Sequence, residues 1–176
     1  MNLAKRLEDI RQSYKRKGLE LKPPATEEVV QAFEERYKIR LPEAYRRFVT
    51  EVSNGCAGPP YYGIFPVGEA DHDEMGRIYE GYAPYLEFPL CEAWVWEGDE
   101  DYDEARIDVI HARGHIYLGT DGCGIQHVLI TSGPEQGNVW IIAGEGAQPI
   151  HFDENRRYDF LDWLEAWLEG KEQFSG

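Results

Sequence analysis

Hydrophobic positions along this chain follow one period at the two ends and another between them. Leu3, Leu7, Ile10 and Tyr14 recur every three or four residues with Lys and Arg between them. That spacing predicts a basic amphipathic helix stopped by Gly18. The short stripe favours packing on the domain over lying on a membrane surface. After the stiff Pro23-Pro24 step, Thr26 is a suitable N-cap, with Glu27 and Glu28 in the first turn where the helix dipole favours acids. Val29 or Val30, Phe33 and Tyr37 supply this second helix with its apolar face. A third helix is expected to start at Pro42, to carry Tyr45, Phe48, Val49 and Val52 as its stripe, and to end at Asn54-Gly55.

Beyond Gly55 the period shortens. Strands are expected over Tyr61–Val67, weakly over Tyr85–Leu90 between its prolines, and over Ala93–Trp96. A short helix is expected over 71–80, and Ile107–Ile110 leads into a turn at Gly114. The clearest strands are Ile116–Leu118, His127–Thr131 and Val139–Ala143, the last two joined as a hairpin by the turn-rich residues 132–138. Helical spacing then returns: Asp159 caps a helix that lines up Phe160, Trp163, Leu164, Trp167 and Leu168. Helices first, strands in the middle and a helix last predict an α+β fold. Its mostly antiparallel sheet would be packed by N-terminal helices and a C-terminal amphipathic helix.

A length of 176 residues predicts one domain over 1–176, with 1–25 as N-terminal helix and linker and 26–168 as the core. No apolar run approaches the roughly 18–20 residues that span a bilayer, and the charged N-terminus lacks the apolar stretch of a signal peptide. Cys56, Cys91 and Cys123 form no CxxC, which suits a reducing, cytoplasmic setting. Charge changes the picture more. The net charge of −15 is segregated: residues 1–50 hold 12 Lys+Arg against 8 Asp+Glu, and residues 51–176 hold 6 against 25. Such a field repels nucleic acid and favours a basic protein partner.

The residues also carry a family pattern. Ile39-Arg40-Leu41-Pro42-Glu43-Ala44-Tyr45, continuing through Phe48 to Asn54-Gly55, resembles the opening motif of the SUKH superfamily. Tyr62–Val67 resembles its first strand, and Gly119–Gly124, Leu129, Gly137–Trp140 and Phe160–Trp163 resemble its later strand–turn–strand–helix block. That superfamily includes Smi/Knr-type cell-wall regulators of yeast and bacterial toxin-immunity proteins. The resemblance, from about Thr26 to Leu168, implies an α+β fold and a non-enzymatic protein that binds another protein. It supplies no catalytic residue. Gly55, Gly119, Gly122 and Gly124 match as positions that need φ > 0 or close backbone approach.

Candidate chemistry is weaker. His111 and His115 are four apart, as are Cys123 and His127, a donor set that suits zinc; but such pairs converge only on a helix, and these segments read as strand and turn. Cys123 with a histidine lacks any nucleophile signature and reads as a small buried thiol. Thr120–Gly124 is followed by a strand rather than a helix, so it reads as a turn and not a phosphate cradle. Asp71, Asp73 and Glu74, like Asp153 and Glu154, read as solvated acids. The most informative set is Glu97, Asp99, Glu100, Asp101, Asp103 and Glu104, six carboxylates in eight positions beside Trp94, Trp96 and Tyr102. Like charges this dense lack an obvious structural purpose, and aromatics beside charge are what interface anchors look like. These nine residues are the expected partner-binding segment. The expected function is an immunity protein that neutralises a cognate toxin, such as a basic nuclease, by occlusion. The alternative is an intracellular scaffold or adaptor of the same fold. No metal, cofactor, nucleic acid or membrane is expected to take part.

Overall fold

The computed structural model describes residues 2–95, 102–144, 146–153 and 156–171. Three helices come first, as their stripes predict. In α1 (Leu3–Lys17), Leu7, Ile10 and Tyr14 are buried, and Gly18 closes the helix at φ 64, a left-handed conformation that glycine adopts without penalty. In α2 (Glu27–Tyr37) the Thr26 side chain accepts from Val29 N at 3.4 Å, and Val30 and Phe33 face inward. In α3 (Glu43–Glu51) Pro42 sits at the N-cap rather than inside the helix. That helix closes at Val52, before Asn54-Gly55.

The middle of the chain is a five-stranded antiparallel sheet in the order β1-β5-β4-β3-β2. Its strands are β1 (Trp94–Val95), β2 (His115–Gly122), β3 (Ile125–Ile130), β4 (Val139–Ala143) and β5 (Gly146–Pro149). A helix, α4 (Glu104–Ala112), precedes β2; a two-stranded ribbon of β6 (His151–Asp153) and β7 (Arg156–Arg157) follows β5. The last element, α5 (Phe160–Leu168), starts at Asp159, whose side chain accepts from Asp162 N at 2.7 Å. The chain thus has the α+β architecture expected of it.

Both faces of the sheet are covered, which explains why its central strands read as continuous apolar runs. One face, with Ile116, Leu118, Leu129 and Val139, packs against the N-terminal helices and α5. Phe160 of α5 meets Tyr45 and Phe48 of α3 edge-on, at ring-centroid distances of 5.0 and 5.2 Å. The basic face of α1 is tied to α5 by Arg6, which reaches Glu165 at 2.7 and 2.9 Å and Asp162 at 2.9 Å. The other face, with Tyr117, Val128, Ile130, Trp140 and Ile142, packs against Ile110 of α4 and against Phe88 and Leu90.

Three local expectations are corrected. No strand forms over Tyr61–Val67: this segment lies along the free side of β2, bonding it at intervals (Tyr62 N to Thr120 O, 3.2 Å; Phe65 N to Leu118 O, 2.7 Å) and covering an otherwise open edge. Residues 71–80 are turns rather than a helix, because Asp73 turns the chain back on itself by accepting from Met75 N and Arg77 N. Tyr85–Leu90 is irregular, and its Phe88 and Leu90 serve as lids on the second face. Ile107–Ile110, which leads to the turn at Gly114 as expected, is part of α4, where Asp103 is the cap and accepts from Arg106 N at 3.1 Å.

Candidate functional site

A cleft of about 320 Å³ lies beside the β2–β3 turn. Its walls come from segments that are distant in sequence: residues 73–79, Tyr102 with α4, the β2–β3 turn with Gln126 of β3, and Ala143-Gly144 at the end of β4. The turn is set by its two central residues. Cys123 and Gly124 have φ 55 and 81, the pair of positive values that a two-residue hairpin of this hand requires. Of the other glycines singled out by sequence, Gly55 and Gly122 have positive φ, whereas Gly119 is needed for space. A Cβ there would stand 2.3 Å from Gly63 O.

Hydrogen bonds lock the walls together. Glu74 accepts from the Thr120 hydroxyl at 2.5 Å and from Gly124 N at 2.8 Å, so it staples the 71–80 turns to the hairpin. Beside it, Asp73 is 3% exposed and takes both the Nε (2.9 Å) and Nη2 (2.7 Å) of Arg77. Burial works against its charge, but the hydrogen bonds from the Arg77 backbone and guanidinium and from Met75 N outweigh that and hold its pKa below the usual carboxylate value. Arg77 in turn lies over the Tyr79 ring at 5.6 Å, and Tyr79 stacks on His111 with ring centroids 4.5 Å apart and planes 5° from parallel. Burial lowers the His111 pKa, so its imidazole is neutral at pH 7. Its Nδ1 and the Oε1 of Gln126, both from residues lining the cleft, are buried without a hydrogen-bond partner among the described residues.

On the far side of the hairpin, His127 is fully buried and its Nε2 meets Asp121 Oδ2 at 2.7 Å, while Asp121 Oδ1 accepts from Tyr61 N at 2.7 Å. The bond from His127 lowers the Asp121 pKa. Tyr61 and Tyr62 stand on the surface there, 82% and 68% exposed.

The sequence-derived partner segment divides. Trp96, Glu97, Asp99, Glu100 and Asp101 lie outside the described residues, as does Glu154. Trp94 is half-buried in β1, pairs with Ala147 and carries the Arg106 guanidinium 4.4 Å over its ring. Asp103 caps α4, and Glu104 occupies its first turn. These two acids therefore have the structural purpose that composition did not suggest. Tyr102 is exposed and lines the cleft.

The histidine and cysteine pairs are drawn into separate contacts. His111 stacks in the cleft, whereas His115 is buried in β2 and donates from Nδ1 to Arg113 O at 2.8 Å. Cys123 is exposed on the turn, which corrects the expectation of a buried thiol. No group of three or more His, Cys, Asp or Glu side chains is arranged to hold a metal among the described residues. Sequence reasoning also missed the acids at 71–74. Asp71 and Asp73 are 4% and 3% exposed rather than solvated, with Tyr37, His72 and Arg36 gathered around Asp71. The signal that could have found Asp73 is Asp-x-Met-Gly-Arg, an aspartate followed by a turn glycine and a cation four residues on.

The family model for the SMI1 / KNR4 family (SUKH-1) matches residues 24–170, which include the hairpin, the cleft and both faces of the sheet. The chain belongs to this family. No match was found among curated proteins or among solved structures. The SUKH-1 match begins at Pro24, so α1 lies outside it, although Arg6 ties α1 to α5 within the matched span. Among the described residues no helix is long and apolar enough to cross a membrane.

Proposed function

We propose that this SUKH-1 chain is a non-enzymatic, cytoplasmic protein-binding domain. In this reading it is an immunity protein that neutralises a cognate toxin by covering a basic surface, such as the substrate groove of a nuclease. The observation that carries the reading is the segregated charge on a SUKH-1 scaffold: 25 acids against 6 bases over residues 51–176. Acidic surface of this density attracts a basic partner and speeds encounter with it. Exposed aromatics among that charge, Tyr102 at the cleft and Tyr61-Tyr62 beyond the hairpin, have the amphipathic character of interface anchors. The segment from Trp94 to Glu104 remains the proposed edge of the docking surface, with Tyr102 joining it to the cleft.

The test is protection. Cells that express the toxin domain encoded beside this gene are expected to survive only when this chain is co-expressed, and the purified pair is expected to bind less tightly as salt rises. Reversing Glu100 and Asp101 together should weaken binding about tenfold or more, as loss of rim charges slows association. Full protection and unchanged affinity after reversal of the whole 97–104 cluster would remove that segment from the interface. Failure to protect against the neighbouring toxin would sink the immunity reading in favour of a scaffold or adaptor.

A further inference from the structure

We propose that the cleft beside the β2–β3 turn receives one arginine side chain of a protein partner, with Glu74, Gln126 and His111 as its acceptors. The proposal rests on the protein-binding reading above and adds the chemistry of the contact. The cleft is short of donors. Gln126 is 3% exposed, and among the described residues its Oε1 has no hydrogen-bond partner. A buried amide oxygen in that state is costly in the free protein and is relieved by an incoming N–H. The Nδ1 of His111 is also buried and has no partner among the described residues, in a ring held in place by its stack on Tyr79. The neutral imidazole offers a lone pair there when its proton is on Nε2.

The cleft is also short of positive charge. Asp73 is matched by Arg77 through two contacts, but among the described residues no cation pairs with Glu74. Each Glu74 oxygen accepts one hydrogen bond, from Thr120 or Gly124, and retains room for another. Those bonds fix the carboxylate at the mouth of the turn, so it is organised before a partner arrives. A guanidinium fits this set better than an ammonium does, because it carries five N–H donors in a plane and is more weakly hydrated. Ile107, Tyr79 and Ala143 line the same cleft and offer apolar surface to the arginine stem. The volume of about 320 Å³ falls at the small end of the range of about 300–1,000 Å³ typical of ligand sites, as suits one long side chain.

The probe is the peptide acetyl-Gly-Arg-Gly-amide, titrated into the full chain and followed by nuclear magnetic resonance, with citrulline and lysine counterparts as controls. Saturable shifts are expected at the Gln126 side-chain amide and at Gly124 N–H. Binding of the citrulline peptide should be about tenfold weaker, as loss of a charge-assisted contact predicts, and the lysine peptide should also bind more weakly. Gln126→Met and Glu74→Gln should each weaken the arginine peptide, and Gln126→Glu should tighten it. Absence of saturable shifts at these two groups, equal binding of the citrulline peptide, or a Gln126→Glu variant with unchanged affinity overturns the proposal; equal binding of the lysine peptide overturns the choice of arginine. Where Glu74→Gln loosens the hairpin, Gln126→Glu decides. The two readings fail separately. A Gln126→Met chain that binds no arginine peptide yet protects cells fully removes the cleft from recognition and leaves the immunity reading intact. Arginine binding at the cleft by a chain that protects against no toxin does the reverse.

Discussion

His115 is fully buried at the start of β2, and burial lowers its pKa to about 3. The unfolded chain binds its proton near the ordinary value of about 6.5, so between these limits the unfolded state holds more protons than the native one. The stability contributed by neutral His115 is complete above pH 6.5 and declines as pH falls towards 3, by up to about 1.4 kcal/mol for each pH unit. Urea unfolding at pH 7 and pH 5 should show a larger loss for the natural chain than for His115→Gln, which keeps a donor for Arg113 O but does not titrate. Equal losses would mean that His115 is not the group responsible. Gly119 makes a second prediction at this scale. Its Cβ would collide with Gly63 O and, at 2.9 Å, with the Pro60 ring, so Gly119→Ala should destabilise by about 1–3 kcal/mol through overpacking, read as a lower urea midpoint. The sequence marked Gly119 as special without saying which need it met. Only the segment folded against β2 shows that the need is space and not φ. Asp73 was less legible still: whether an acid is solvated or buried is decided by Arg77 and by two backbone N–H groups that close on it after the turn forms.

Elements with a one-sided stripe and a cap were readable from the chain, as α1, α2 and α5 show. Elements held by their neighbours were not. Gly146-Ala147-Gln148-Pro149 has little strand propensity, yet it is β5 because β4 and β1 bond it on either side. Ile107, Val109 and Ile110 have β-branched propensity, and spacing alone assigns them no element; they lie in α4, where the Asp103 cap and the packing of Ile110 under the sheet decide. The docking of α1 was legible as a preference for packing, but its anchor was not, since Arg6 and Glu165 stand 159 residues apart. Arg6→Ala should cost about 2–3 kcal/mol, because it leaves the partly buried Glu165 carboxylate without its cation, while Asp162 keeps only Arg156. The measurement is the unfolding midpoint, and a change below about 0.5 kcal/mol would reduce the contact to an ordinary surface pair. Asp159→Ala, which removes the cap of α5, should cost about 1 kcal/mol by the same measurement.

For the whole molecule, charge and architecture act on different properties. The sheet is covered on both faces, while the acidic charge over residues 51–176 does not specify the fold and, in the proposed reading, governs encounter with a basic partner. Stability should therefore change little between low and moderate salt, whereas association with the proposed basic partner should slow steeply over the same range. Stopped-flow binding and urea unfolding at matched salt separate the two. A salt-independent association rate would mean that the acidic field does not steer the partner.

The sequence by itself determined the family, the order of helix, sheet and helix, the capped helices and the charge asymmetry. All of these depend on residue type, on short-range spacing, or on motifs that survive in linear order. Only the tertiary structure decided the second covered face, the burial of Asp71 and Asp73, and the cleft at the β2–β3 turn. Each of these comes from segments far apart in the chain. Glu74 meets Gly124 across 50 residues, and the stacked rings of Tyr79 and His111 are 32 positions apart. Local propensity carries no record of such partners, since the packing that pairs them exists only once the sheet has formed.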